Sequence, residues 1–391
     1  MVLQLFRRAP AAPAETKESA AAPLVAFQTA GRAAWSSRDT QTMTRVGFLG
    51  NPVAFRCVKI IAEAAAAVPV VVQDADRRFD VHPVLELLAA PNPGQSGAAL
   101  LEAFYGYLLL AGDAYLEAAG MGQGGGPREL YVLRSDRMKV MPGSDGWPVA
   151  YEYSVGAKKH VFDMRQDRVP VLHVKAFHPQ DDHYGLSPLN AAAAAIDVHN
   201  SASTWSKALL DNAARPSGAI VYKGADGLGQ LASDQYQRLV EELECHHQGA
   251  RNAGRPMLLE GGLDWKPMGF SPSDMEFHRT KEAAARDVAL AFGVPPMLLG
   301  LPGDNTYANY SEAHRAFYRL TVLPLVAKTM AALSSWLPGF YGEAFQVKVD
   351  EDNVPALAEE REALWRRISD ADFLSESEKR ALLGLPKLRE D

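Results

Sequence analysis

Between Ala289 and Leu337 the chain reads ALAFGVPPMLLGLPGDNTYANYSEAHRAFYRLTVLPLVAKTMAALSSWL, and this stretch leaves few folds open. Gly293 stands where a helix must stop, and Pro295, Pro296, Pro302 and Gly303 forbid a regular element directly behind it. A long helix is then predicted, with Asn309 as cap and Glu312 reaching back to it. Ala313, Phe317, Leu320, Leu323, Ala327, Met330 and Leu333 line its apolar face, and Pro324 predicts a kink. Between the two helices, Gly300 to Asn309 holds turn formers, Pro302, Gly303, Asp304 and Asn305 beside Thr306, with Leu301 and Tyr307 its only bulky apolar residues. Such a segment cannot build a core, so it is expected at the surface as a mobile connection.

The rest of the chain predicts an α+β fold, mainly helical. Residues 9–40 are alanine, proline and small polar residues without periodicity, which reads as a mobile arm. Order is expected from Asn51, an N-cap followed by Pro52, with Val53, Cys57, Ile60, Ile61, Ala64 and Val68 as a buried helical stripe. PVVVQ reads as a strand, HPVLELLAAPNPG as a short helix, and Ala98 to Leu110 as a helix ended by Gly112. Strands are expected at Ala114 to Ala118, Glu129 to Arg134, Met138 to Met141, Pro148 to Ser154 and Val169 to Val174. Gly120 to Gly126 joins two of them with no helix behind and no Lys-Ser/Thr pair, so it is a hairpin loop rather than a phosphate loop.

From Ser187 to Asn212 the pattern is helical, with the alanine run Ala191 to Ala195 permitting close helix approach. A compact insert follows: a strand at Ser217 to Lys223, a helix at Ser233 to His247, and a hairpin of Met257 to Glu260 with Leu263 to Met268. Ser273 and Glu276 form a capping-box pattern that opens a helix running to about Phe292. Residues 355–391 read as a small, highly charged helical cap.

Net charge is −7, so no global basic surface exists for wrapping duplex DNA. Cys57 and Cys245 stand far apart and imply no disulfide framework. No uninterrupted apolar run approaches the roughly 20 residues of a membrane span, so no membrane partner is expected. The cluster His173, His178, Asp181, Asp182 and His183 carries metal-ligand types, but it precedes a helix start where Asp and Gly serve turns and caps. Cys245, His246 and His247 are adjacent on a predicted helix and point about 100° apart. No catalytic, cofactor or metal residue is assigned.

LQLFRR, NPVAFRCVKIIAEAAAAVPVVV, HPVLELLAAPNPG, AGDAYLEAAG, RELYVLRSDRMKV, YGLSPLNAAAAAI, AFGVPPMLLG and TYANYSEAHRAFYRLTVLP follow one another in this order. In that order they resemble the portal proteins of long-tailed bacteriophages and of phage-derived gene transfer agents. The resemblance implies a ring, usually a dodecamer, at the capsid vertex of a virion or phage-like particle, assembled in the host cytoplasm. Its wing, stem, clip and crown would map to residues 45–186 (wing), 187–214 (first stem helix), 215–271 (clip), 272–293 (second stem helix) and 351–391 (crown). Residues 1–44 would be the arm, 294–309 the tunnel loop, and 310–350 the wing's returning helix and strand.

The resemblance also implies partners: double-stranded DNA in the channel, the major capsid protein, the terminase large subunit and then a head–tail adaptor. Leu301, Pro302, Gly303, Asp304, Asn305, Thr306 and Tyr307 would face the channel. Arg238, Arg251, Arg255 and Lys266 would form the clip's docking surface. An acidic balance suits a conduit, because each phosphate neutralised by Lys or Arg strengthens binding and slows departure. Two other readings stand beside this one: a metal-dependent hydrolase using His178 to His183, and a capsid adaptor without a channel.

Overall fold

Asn51 sets the start of the first long helix, Pro52–Ala66. Its side-chain oxygen accepts from the backbone N–H groups of Val53 and Ala54 at 3.0 and 3.1 Å, and Pro52 supplies the fixed φ of the first turn. Cys57, Ile61 and Val68 of the expected stripe are buried, and Val53, Ile60 and Ala64 are half-buried. The helix packs on Gly97–Ala111 and on Pro272–Phe292. This computed structural model describes residues 35–74, 77–122, 125–211, 218–222, 234, 236–238, 263–267, 272–302 and 307–385.

The strands are β1 (Val70–Gln73), β2 (Arg78–Phe79), β3 (Asp113–Met121), β4 (Pro127–Leu133), β5 (Met138–Pro142), β6 (Pro148–Val155), β7 (Lys158–Asp163), β8 (Val171–Lys175), β9 (Gly218–Tyr222), β10 (Leu263–Pro267) and β11 (Gln346–Val349). They form antiparallel sheets in the orders β11-β1-β2, β4-β3-β8, β5-β6-β7 and β10-β9. The β3–β4 turn is the hairpin expected at the glycine run, with Met121 opposite Pro127. β7 escapes sequence reading because Lys158, Lys159, His160 and Val161 are all exposed, which erases the alternation of a half-buried strand.

β1 pairs with β11 across the length of the chain, Val72 opposite Val347. The hydroxyl of Ser334 receives the Val347 N–H at 2.8 Å and donates to its carbonyl at 3.1 Å, so the Leu323–Trp336 helix closes the edge of that sheet. The main core gathers the helices around Ile61, Leu100, Tyr105, Val288, Phe317, Met330 and Leu333. A second core, under β5-β6-β7, is built from Tyr115, Leu133, Met138, Val140, Tyr151, Phe162 and Val171.

Several boundaries differ from expectation. The helix from Ser187 divides at Ala192 into Pro188–Ala191 and Ala193–Asp211. β10 pairs with β9, Trp265 opposite Ile220, so the insert's strands meet across its whole length; Met257 to Glu260, the expected hairpin partner, lies outside the described residues. The helix before Gly293 begins at Pro272, which puts Ser273 inside its first turn rather than at its cap. Asn309 is likewise inside Tyr307–Phe317 rather than capping it, and Glu312 pairs with Arg315 at 2.9 Å.

Pro324 is accommodated upstream. Tyr318–Val322 forms a π turn in which Leu323 N–H reaches back to Tyr318 O, so the bond that proline lacks is absorbed by a wider turn. Part of the expected arm is also ordered: Ser36 hydrogen-bonds Asp197 through its hydroxyl at 2.6 Å, Asp39 caps Thr40–Met43, and Met43 is buried. By length and composition the helical stretch Asn309–Tyr341 could cross a membrane. Its apolar residues Phe317, Val322, Val326, Met330 and Leu333 are instead buried in the main core. That stretch is apolar by period rather than by run, so a search for uninterrupted apolar residues passes over it. The C-terminal region is helical as expected, with Ala358–Ser369 and Glu376–Leu382, the latter opened by a Ser375–Glu378 capping box.

Candidate functional site

The connection after Pro272–Phe292 is rigid at its base. Gly293 ends the helix at φ +67°, where a Cβ would also lie 2.8 Å from Thr321 Oγ1, so both backbone and packing require glycine. Thr321 donates to the Gly293 carbonyl at 2.7 Å. Val294 and Leu298 are buried, and the short 3-10 turn Pro296–Leu299 ends at Gly300, φ +71°. Arg286, about two helical turns before Gly293, donates to the Pro302 carbonyl.

The far side of the connection returns to the same place, because Tyr307–Phe317 packs on Pro296–Leu299. The two described ends of the connection, Pro302 and Tyr307, therefore stand on one base. Leu301 is half-buried and Pro302 exposed; Gly303, Asp304, Asn305 and Thr306 lie outside the described residues, and Tyr307 opens the returning helix. Of the expected docking residues, Arg238 is helical and exposed and Lys266 lies in β10, while Arg251 and Arg255 fall outside the described residues. So do Cys245, His246 and His247.

The imidazoles and carboxylates near His173 do not converge on one point. His173 Nε2 lies 2.8 Å from Asp113 Oδ1, its Nδ1 lies 3.1 Å from the Tyr151 hydroxyl, and Tyr115 stacks on the ring. His178 accepts from Gln180 N, and Asp181 accepts from the backbone N–H groups of His183 and Tyr184, an Asx turn. Asp113 also accepts from Gly185 N at 3.0 Å, and the Ser187 side chain donates to Leu109 O at 2.7 Å while accepting from Leu189 N. The cluster thus fixes the end of Gly97–Ala111 to the start of Pro188–Ala191. Sequence reading missed Asp113 because its partners lie some sixty or more positions away.

A second polar junction ties Asn51 to the Ala193–Asp211 helix. With its oxygen committed to the cap, the Asn51 amide nitrogen faces His199 Nδ1 at 3.1 Å and Asn200 Oδ1 at 2.9 Å. His199 must therefore be neutral with Nδ1 bare. Burial, and then the Lys281 charge, hold its pKa below the ordinary 6.5. As pH falls, the unfolded chain takes up this proton first, so the contribution is complete above about 6.5 and is lost as pH drops through the lower folded value. We expect the urea midpoint to fall between pH 7.5 and pH 5.5, and to fall less in His199→Gln; equal falls in both would remove His199 as the cause.

The C-terminal region is tied to the helix that leaves the loop. Arg315 lies 2.8 Å from Glu359 and 3.5 Å from Glu360, and Arg319 also pairs with Glu360. Arg361 bonds Asp352 at 2.6 Å, which shares its carboxylate with Trp365 Nε1 at 2.8 Å.

This architecture matches chains of known particles. Over 91% of its length the chain is similar to one, covered to 96%, in the neck of an empty gene transfer agent (GTA) particle computed with C6 symmetry, with 67% identity and a TM-score of 0.75. The corresponding chain in the neck of a native GTA particle computed with C12 symmetry gives 66% identity, a TM-score of 0.74 and the same coverage. A protein of Rickettsia bellii (strain RML369-C) is 40% identical over 344 residues, 87% of this chain and 88% of that protein. The family model described as phage portal protein matches residues 52–384. The chain belongs to the phage portal protein family.

Proposed function

We propose that twelve copies of this chain close into the ring at the capsid vertex of a gene-transfer-agent-type particle, a structural channel without enzymatic activity. The observation that carries this is the 67% identity with a GTA neck chain across 91% of the sequence. The twelvefold number is supported by the C12 symmetry used for the neck of the native GTA particle. Family membership disfavours the hydrolase, and the local turns that engage His178 and Asp181 give it no converging ligands. The order of the described elements supports the division into wing, stem helices, clip, tunnel loop and crown.

In this reading residues 300–309 narrow the channel around double-stranded DNA. The β9–β10 insert docks the terminase large subunit during packaging and the head–tail adaptor afterwards, and the wing contacts the major capsid protein. The shared base under both ends of that connection supports the first assignment, and the position of the insert between two long helices supports the second. Imaging the purified protein down its axis tests the ring: closed rings with a central opening are expected. A protein that stays monomeric or dimeric at micromolar concentration across several salts would defeat the proposal.

A further inference from the structure

Helices Pro52–Ala66 and Gly97–Ala111 leave between them an open groove of about 390 Å³, lined by Phe48, Val58, Ala62, Tyr107 and Leu110. Gly106 stands on its wall in the middle of a helix. Glycine there weakens the helix relative to alanine, and nothing described within the chain requires it, since a Cβ would meet no atom within 4 Å. Its neighbours differ: at Gly97 a Cβ would lie 2.0 Å from Leu88 O, and at Gly112 2.4 Å from Gly185 O. Gly106 keeps a helix surface low where the chain itself places nothing.

Elsewhere the Pro272–Phe292 helix exposes Ala283, Arg286, Asp287 and Leu290, spaced i, i+3, i+4 and i+7 on one face. Leu290 is 78% exposed, and Leu320, 74% exposed, adjoins Thr321 at the Gly293 junction. Charge matches across the two surfaces. Lys59 and Glu102 pair at 2.6 Å on the groove's rim, and the opposite face carries Arg286 and Asp287 side by side, so each charge meets a counter-charge.

We infer that in the ring this face of one copy lies in the groove of the next, with Ala283 near Gly106, Leu290 among the apolar lining, and Arg286 and Asp287 against Glu102 and Lys59. The contact is helix-in-groove and heterologous, with face and groove on different patches of the chain, as a closed ring needs. Small residues at the crossing bring the helices close. Arg286 has donors enough for Glu102 as well as the Pro302 carbonyl, so the same residue joins the subunit contact to the base of the loop.

The inference rests on the ring reading and is tested apart from it. Gly106→Leu should leave the unfolding midpoint of the dissociated chain unchanged or raised by about 1–2 °C, because leucine is the better helix former and has open space. The same variant should give at least tenfold fewer rings at equal concentration. In a Cys245→Ser background, Ala99→Cys with Leu290→Cys should oxidise, on assembled rings, to a ladder of linked multiples of one chain. Normal ring yield from Gly106→Leu, or rings of the cysteine pair without linked multiples, overturns this contact and leaves the ring standing. No rings from the unmodified protein overturns the ring reading and the contact with it.

Discussion

Replacing Pro302–Thr306 with two glycines should leave rings intact while the DNA carried per particle falls by about tenfold or more. Assembly survives because the packing lies in the base: Val294 and Leu298 are buried, Gly293 is locked against Thr321, and Tyr307–Phe317 packs on Pro296–Leu299. What is lost is a repeated weak contact. An exposed polar interaction is worth about 0.2–1 kcal/mol, but a ring presents it once per subunit, so the summed hold reaches several kcal/mol while each contact releases readily. A factor of ten requires only about 1.4 kcal/mol of that sum. Quantifying encapsidated DNA against ring count decides the matter, and full-length DNA at the unmodified yield would end the channel assignment for this loop.

Gly185→Ala should cost about 3–5 kcal/mol and remove most soluble protein, the largest single-residue stability effect expected here. A Cβ at Gly185 would lie 2.0 Å from Gly112 O and 2.7 Å from Ala176 N. Both are backbone atoms already in use, since Ala176 N donates to Gly112 O at 2.7 Å, so no side-chain rotation can make room. The adjoining residues hold the same crossing, with Asp113 bonded to Gly185 N and to His173. Gly146→Ala is the control. Gly146 has φ +83° but open space around it, so its substitution should cost about 1 kcal/mol, the backbone penalty alone. Denaturation midpoints of the two variants separate close approach from backbone strain, and similar losses in both would refute the crowding argument.

Local chemistry was legible where a residue acts on its near neighbours. Asn51 with Pro52, Gly112 and Gly293 mark helix ends through their own side chains or their freedom at positive φ, and no distant partner is needed. The capping patterns at Ser273 and Asn309 misled for the same reason that makes them attractive. They satisfy orphan donors locally, but each helix began earlier, at Pro272 and at Tyr307. A cap motif says that a helix can begin there, and packing decides whether an earlier turn is added. β7 was illegible because its exposed residues carry no burial pattern to read.

By itself the sequence determined the order of most described elements and the family, because these follow from short-range periodicity and a succession of motifs. Only the tertiary structure decided that Asp113 meets His173, that β11 returns to β1, and that Gly106 borders an open groove while Gly112 is pressed against Gly185. The physical reason is separation along the chain. A contact between residues sixty or more positions apart leaves no periodic trace, and the space around Gly106 or Gly112 cannot be read until the neighbours of each are known.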